Sequence, residues 1–132
     1  MTGSYRVVYA FSGFMQPIND TSHMLSTNPD VSTFKAASTV PVKFQLTNAS
    51  GAPIQALSAQ WVTPSKGAAT TQAVDETVYT DQPTTGALYR WDSTAQQYIY
   101  NWGTAKNQSG FYWRLGVKLD DNQTYYVNIS LR

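Results

Sequence analysis

The side chains that could support catalysis are few and scattered. His23 is the only histidine among 132 residues, and the chain has no cysteine. A Ser–His–Asp triad that uses His23 is formally available, but nucleophilic catalysis needs a base held beside the nucleophile. His23 falls in a predicted loop, where a solvated histidine is the simpler interpretation. We therefore predict no catalytic residues.

The acidic residues lie in predicted turns, loops or one weak strand, from Asp20 to Asp121 and including Glu76, the only glutamate. Glycoside hydrolysis would need two carboxylates about 5 to 9.5 Å apart, with one held in an apolar setting that raises its pKa. Turn chemistry explains these residues more simply, because an aspartate in a turn accepts hydrogen bonds from its own backbone. We predict that the protein is not an enzyme.

One acidic pair offers ligands for a metal. Asp120 and Asp121, followed by Asn122, supply the oxygen ligands that calcium prefers. Calcium takes about six to eight oxygens, so a single tight turn cannot complete its shell. A polar hairpin turn is the preferred interpretation and calcium the alternative. No other cofactor is predicted.

Carbohydrate binding is the sharpest functional hypothesis, because sugar rings stack on exposed aromatic faces and the chain has 4 Trp and 9 Tyr. The alternation of side chains places all four tryptophans on the same sides as Val, Leu and Phe, so a core position is predicted for each. These are Trp61, Trp91, Trp102 and Trp113.

The aromatic residues left for a surface are chiefly Tyr112 and Tyr126. Both point outward from the last two predicted strands, and with Arg114 and Lys118 they would line one outer sheet face. This face is the candidate ligand site, for a polysaccharide or a surface glycan. Tyr126 also has a structural alternative, since it should lie beside Gly116 or Lys118 and an aromatic ring can cover a strand glycine.

The elements that position these residues are strands. Alternating apolar residues predict strands near 5–11, 40–46, 57–63, 76–80, 88–91, 97–102, 111–119 and 125–131. No segment of ten or more residues carries a helical stripe. We therefore predict an all-β fold, an antiparallel two-sheet immunoglobulin-like β-sandwich of about seven or eight strands, with Trp61 filling its core. Long connections are expected at 16–32 and 64–86.

The charge composition excludes some classes of binding partner. Charged residues are 13% of the chain, aromatic residues 14%, and the net charge is +1, without any run of Lys or Arg. Nucleic acid and anionic membranes both require a concentrated basic surface, so neither is predicted as a partner. No apolar stretch approaches the roughly 18 residues of a membrane span, and no signal peptide is visible. We predict one domain over residues 5–132, with residues 1–4 as an expression start and the whole as a fragment of a longer protein.

The run from Phe34 to Leu46 contains Pro41-Val42-Lys43-Phe44, preceded by a Lys-Ala-Ala-Ser-Thr-Val segment. This run resembles the PxKF domain of bacterial secreted and cell-surface proteins. Runs at 11–18, 98–102 and 117–121 resemble the same family in the same order, so the resemblance spans nearly the whole chain. Pro41, Lys43 and Phe44 are the motif residues. PxKF domains often carry a cysteine pair, and Tyr112 falls close to the second of those positions.

The resemblance implies a non-catalytic accessory or spacer module of a larger secreted or cell-surface protein, whose partner is the remainder of that protein. It implies an extracellular location. It does not separate this function from the alternative, an adhesive carbohydrate-binding module. Lys43 is expected to point outward, either with its stem along neighbouring side chains and its ammonium in solvent, or as a functional cation.

Overall fold

The structure is a computed structural model that describes residues 9–18 and 31–132. Its strands are β1 (Ala10–Met15), β2 (Thr33–Phe34), β3 (Thr39–Thr47), β4 (Pro53–Ile54), β5 (Ala59–Ala69), β6 (Arg90–Asp92), β7 (Gln97–Gly103), β8 (Phe111–Leu119) and β9 (Thr124–Leu131). One 3₁₀ turn covers Lys106–Gln108. The predicted all-β class is confirmed, and the described residues contain no α-helix. Nine strands form rather than seven or eight, because β2 and β4 are two-residue strands too short to leave a pattern in the sequence.

The strands form two sheets. The first has the order β1-β3-β7-β6, with β4 paired to one end of β3, and the second has the order β2-β9-β8-β5. Strand β2 runs parallel to β9, whereas the other pairs are antiparallel. With β2 and β4 set aside, this is the strand order of an immunoglobulin sandwich, four strands facing three. The predicted architecture is therefore confirmed.

The core lies between the sheets and follows the alternation of the sequence. In β3 the side chains of Val40, Val42, Phe44 and Leu46 are fully buried. They face the second sheet, whose buried side chains include Leu115, Val117, Val127, Ile129 and Leu131. Burial of such side chains away from water is the main favourable term in folding.

The tryptophans occupy the inner side, as predicted. Trp102 is buried, and Trp61, Trp91 and Trp113 pack against the core while keeping part of their surface exposed. Trp102 and Trp113 come from opposite sheets and meet edge to face, with ring centroids 5.8 Å apart. Aromatic contacts of this kind join the two sheets in a chain that has no cysteine and therefore no disulfide.

Several strand boundaries differ from the prediction. Strand β5 continues to Ala69, so the connection expected at 64–86 begins only after that residue, and β6 begins at Arg90 rather than at Leu88. Strand β1 continues through Gly13 to Met15, because Gly13 adopts a φ of 114° at an irregularity in the β1–β3 register. Strand β5 begins at Ala59, so Leu57 lies in the preceding loop and is 92% exposed rather than inward. The strand predicted near 76–80 is reduced to a single bridge between Tyr79 and Thr39.

The connection from β5 to β6 is long, yet it is held along its course. The Asp75 carboxylate accepts a hydrogen bond from the Thr33 backbone N–H at 2.8 Å, and the Tyr79 carbonyl accepts one from Thr39 at 3.0 Å. Thr84 then pairs with β7. A long connection inside a compact domain needs such anchors. In the other long connection, Ile18 and Val31 are each 1% exposed and anchor its described ends, while Met24, Leu25 and His23 lie outside the described residues.

Pro41 lies near the start of β3, as its missing N–H requires. Strand β1 pairs with β3 from Lys43 onward, so no strand of the described residues 9–18 and 31–132 faces Pro41 on the β1 side. On the other side Pro41 faces Asn101, whose backbone N–H and carbonyl both bond to Thr84 instead. No ladder hydrogen bond is therefore lost at the proline.

Candidate functional site

The predicted ligand face lies on the outer side of β8 and β9. Arg114 and Tyr126 come together there, with the guanidinium carbon 5.5 Å from the centroid of the tyrosine ring. Tyr126 is half-buried because it covers Gly116, its direct neighbour across the strands. A Cβ at Gly116 would lie 2.8 Å from the Tyr126 ring, so the ring rests against the backbone. The structural role predicted for Tyr126 is present.

The other two residues of this face lie toward its ends. Tyr112 is opposite Ser130, and Lys118 is opposite Thr124. Lys118 lies six positions after Tyr112 along β8, or about 20 Å at the rise of a strand. Tyr112 is half-buried, and its Cβ lies 3.3 Å from the position that a Cβ would take at Gly67. The four residues therefore share a face, but only Arg114 and Tyr126 form a close pair.

Asp120 fastens one end of the sandwich. Its carboxylate accepts hydrogen bonds from the Tyr9 hydroxyl at 3.0 and 3.1 Å and from the Leu57 backbone N–H at 3.1 Å. Burial, together with the neighbouring Asp120 carboxylate, raises the pKa of the Tyr9 phenol. The phenol therefore stays protonated and keeps donating to the carboxylate at neutral pH.

Asp121 serves the hairpin turn, since its carboxylate accepts a hydrogen bond from the backbone N–H of Gln123 at 3.0 Å. This is the local turn chemistry expected of aspartate. Asn122, at the same turn, has a φ of 67°. Within residues 9–18 and 31–132, no three His, Cys, Asp or Glu side chains gather in a metal-binding group. Both aspartates thus have structural partners that account for their positions.

The motif residues lie on both sides of β3. Phe44 is fully buried and stacks on Tyr98, with ring centroids 5.0 Å apart and planes 16° apart. Lys43 points to the outer side of the first sheet, between Met15 of β1 and Ile99 of β7, and is half-exposed. Pro41 is buried on that same outer side, opposite Asn101.

A cleft that the sequence did not reveal opens on this outer side, beyond β6. It measures about 460 Å³ and lies between the 81–85 segment and the first sheet. Thr84 pairs with β7 there, because its N–H donates to the Asn101 carbonyl at 2.8 Å and its hydroxyl accepts from the Asn101 N–H at 2.9 Å. The cleft is lined by residues 81–85 together with Arg90 and Asn101.

Asn101 is the unusual member of this cleft. The residue is 8% exposed, and its side-chain oxygen Oδ1 is buried without a hydrogen bond to any residue that the structure describes. Buried polar atoms are nearly always paired, so an unpaired one calls for a partner. The sequence does mark Asn101 as unusual, because it stands between Tyr100 and Trp102 in a predicted strand and asparagine is depleted in strands.

No family, no curated protein and no solved structure matches this chain. The resemblance to the PxKF family therefore stays a prediction. No helix in the described part of the chain is long and apolar enough to cross a bilayer.

Proposed function

We propose that the protein is a non-catalytic, immunoglobulin-like accessory module that acts as a spacer within a larger secreted or cell-surface protein. The observation that carries this proposal is the parallel pairing of β2 with β9. Three backbone hydrogen bonds hold the two strands and their flanks together: Ser130 to Ser32 at 2.9 Å, Arg132 to Phe34 at 2.9 Å and Ala36 to Arg132 at 2.8 Å.

The parallel pairing of β2 with β9 decides how their hydrogen bonds respond when the two ends of the domain are pulled apart. Strand β1 lies ahead of β2 and pairs with β3, so tension on the amino-terminal side loads that pair first. Once β1 has come away, the tension pulls β2 toward its amino end and β9 toward its carboxyl end. Since the two strands are parallel, these pulls oppose each other along the strand axis, and the hydrogen bonds across the pair are loaded together in shear. An antiparallel hairpin pulled from its two open ends would instead lose its bonds one at a time. A module that must keep its length under tension benefits from the first arrangement.

Side-chain hydrogen bonds that join one sheet to the other, or to the loop between β4 and β5, add to this resistance. The Tyr89 hydroxyl, just before β6, donates a hydrogen bond at 2.9 Å to the Gly116 carbonyl in β8. The Tyr98 hydroxyl both donates to the Ala56 carbonyl at 3.2 Å and accepts from the Ala56 N–H at 2.9 Å. The chain has no cysteine, so such contacts take the place of a covalent staple.

Single-molecule force spectroscopy on the chain, placed between two handle domains, tests the spacer function. We expect one cooperative unfolding event that releases about 40 nm of chain, as roughly 120 extended residues would. The event should recur after relaxation without added ligand. Ala36→Pro removes one of the three hydrogen-bond donors and should lower the unfolding force. Unfolding in several weak steps, or a force that Ala36→Pro leaves unchanged, would contradict the proposal.

A second candidate function is carbohydrate binding on the outer face of β8 and β9. The close pair of Arg114 and Tyr126 favours it, because an aromatic ring offers an apolar surface for a sugar ring and a guanidinium offers hydrogen-bond donors to sugar hydroxyls. The test is retention of the protein on insoluble cellulose, chitin, xylan and peptidoglycan, with and without calcium. Retention that is lost in Tyr126→Ala and Tyr112→Ala would support this face, and retention that survives both changes would exclude it.

A further inference from the structure

We propose that residues 70–79, which we call the strap, hold β2 against β9, so that the two strands cannot separate until the strap has lifted. The strap directly follows β5 and crosses the outer side of the second sheet. The inference deepens the spacer proposal, and its mechanical consequence rests on that proposal. The hold of the strap on β2 can be measured without any load.

Two buried hydroxyl residues show that the outer side of β2 and β9 is covered. Thr33 and Ser130 are direct partners across the pair, and their neighbours Phe34 and Leu131 belong to the core. Because side chains alternate along a strand, Thr33 and Ser130 point to the outer side of the sheet. Both residues are nevertheless 0% exposed, so another part of the chain lies over them.

Gln72 of the strap makes the contact with these hydroxyls. The Thr33 hydroxyl donates to the Gln72 side-chain oxygen at 2.9 Å, and the Ser130 hydroxyl oxygen lies 2.5 Å from that of Thr33. A hydroxyl carries one proton, so when Thr33 donates to Gln72, Ser130 is the donor to Thr33. One chain of hydrogen bonds therefore joins β9, β2 and the strap.

The strap also closes the free edge of β2. The carbonyls of Ser32 and Phe34 accept hydrogen bonds from β9, so the backbone of Thr33, between them, faces the opposite edge. There the Thr33 N–H donates to the Asp75 carboxylate at 2.8 Å, and the Thr33 carbonyl accepts from the N–H groups of Asp75 and Glu76, each at 3.2 Å. Strand β2 is thus bonded along both edges, although it is the last strand in the order of its sheet.

The two ends of the strap are fixed to different sheets. The Thr70 N–H donates at 2.9 Å to the carbonyl of Gly110, just before β8 in the second sheet. The Tyr79 carbonyl accepts at 3.0 Å from the N–H of Thr39, at the start of β3 in the first sheet. The strap therefore cannot simply follow β2 when that strand is pulled. Under tension, β2 has to break its bonds to β9 and to the strap together.

Hydrogen exchange of the full chain, followed residue by residue with NMR, tests the strap without load. The reporters are the backbone N–H groups of Ser130 and Arg132, which donate to β2. Asp75→Ala changes an exposed side chain and removes the acceptor of the Thr33 N–H. It should speed exchange at both reporters at least about tenfold, because local opening no longer breaks a hydrogen bond to a charged group. The Trp61 N–H, which donates to the Ala87 carbonyl, should keep its rate.

Three further variants make the test specific. Asp75→Asn keeps an acceptor oxygen at the same position, so exchange at the reporters should stay within about threefold of the wild type. Gln72→Ala removes the contact with the hydroxyls and should speed exchange there about fivefold, as expected for one neutral hydrogen bond. Asp92→Ala is the matched control, since the Asp92 carboxylate accepts the Thr94 N–H of its own turn at 3.1 Å. It should leave both reporters unchanged.

Two exchange results would overturn the proposal: unchanged rates at Ser130 and Arg132 in Asp75→Ala, or an equal acceleration at Trp61, which would show general destabilisation. In the force measurement, Asp75→Ala should raise the unfolding rate at constant force about tenfold, and Asp92→Ala should not change it. A force response that Asp75→Ala leaves unchanged would overturn the mechanical consequence. Expected exchange rates in a wild type that unfolds in several weak steps would instead overturn the spacer function and leave the strap in place.

Discussion

The indole of Trp61 lies flat on the phenol ring of Tyr100, with ring centroids 4.1 Å apart and planes 4° apart. Trp61 belongs to β5 in the second sheet and Tyr100 to β7 in the first, so this stack crosses the core. Tyr89 meets both rings edge to face, at 5.7 Å from each centroid. The three rings form an aromatic centre in a sandwich that has no disulfide.

Replacing Trp61 by leucine should therefore destabilise the fold strongly. The change removes the stack on Tyr100 and leaves a cavity beside Tyr89, and we expect a loss of about 3 kcal/mol in the free energy of unfolding. Urea denaturation followed by far-UV circular dichroism measures it. Tyr112→Leu, an aromatic truncation on an outer face, is the control and should cost less than about 1 kcal/mol. If both variants lost the same free energy of unfolding, the stack of Trp61 on Tyr100 would contribute no more to stability than an aromatic residue on an outer face.

Gly116 should tolerate no side chain while Tyr126 is present. A Cβ at Gly116 would lie 2.8 Å from one Tyr126 ring carbon and 3.0 Å from the Tyr125 carbonyl oxygen. We expect Gly116→Ala to cost about 1 to 3 kcal/mol, the range of overpacking changes. In the double variant with Tyr126→Ala the ring clash is gone, and only the contact with the Tyr125 carbonyl remains.

A double-mutant cycle in chemical denaturation separates these terms. The double variant should be more stable than the sum of the two single changes predicts, by about 1 kcal/mol. Strict additivity would mean that Tyr126 does not press on Gly116.

The strands that the sequence predicted best are those with an unbroken alternation and one buried face. Strand β3 is an example, where Val40, Val42, Phe44 and Leu46 all point inward. A one-residue shift would move this whole set to solvent, so the pattern defines the register strongly. Leu57 misled the same reasoning because it precedes β5, and side-chain alternation has no meaning outside a strand.

The cleft could not be predicted in the same way. It depends on Thr84 folding back onto Asn101, 17 residues away, and no local pattern marks that contact. The hydrogen bond from Tyr9 to Asp120 joins residues 111 positions apart and is equally invisible in the sequence. Turn chemistry explained why an aspartate follows β8, but the partners of its carboxylate are set by tertiary packing.

Asp120 and Asp121 are adjacent, yet their removal should have unequal effects. Asp120 links Tyr9 and the loop before β5, whereas Asp121, among the described residues, bonds within its own turn, to Gln123. We expect Asp120→Ala to cost about 1 to 2 kcal/mol, since hydrogen bonds to a charged group are lost at an exposed position. Asp121→Ala should cost about 0.5 kcal/mol.

Thermal unfolding of the two alanine variants, with and without calcium, compares the pair. The difference between them should persist without calcium, because the partners of Asp120 are protein groups. A stabilisation of the wild type by calcium that both variants abolish would instead identify the two carboxylates as metal ligands.

The buried phenol of Tyr89 should make the fold sensitive to alkali. Burial, and then the neighbouring Tyr100, raises the pKa of Tyr89 well above its usual value of 10.0. In the unfolded chain the phenol loses its proton near pH 10, whereas in the folded chain it stays protonated. Stability is therefore fully present below pH 10 and falls as the pH rises toward the folded pKa, by up to about 1.4 kcal/mol per pH unit for this group.

Urea denaturation at a series of pH values tests this, with Tyr89→Phe as the matched variant. At neutral pH the variant should be less stable by about 1 kcal/mol, because the Gly116 carbonyl loses the hydroxyl that donates to it. Above pH 10 its stability should fall less steeply, since one titrating group has been removed. Some slope should remain, because burial also raises the pKa of Tyr9, Tyr98, Tyr100 and Tyr125. If the stability of the two proteins fell equally steeply with pH, the Tyr89 phenol would have to ionise in the folded state as easily as in the unfolded chain. That result would contradict the protonated phenol expected from its burial and its hydrogen bond to the Gly116 carbonyl.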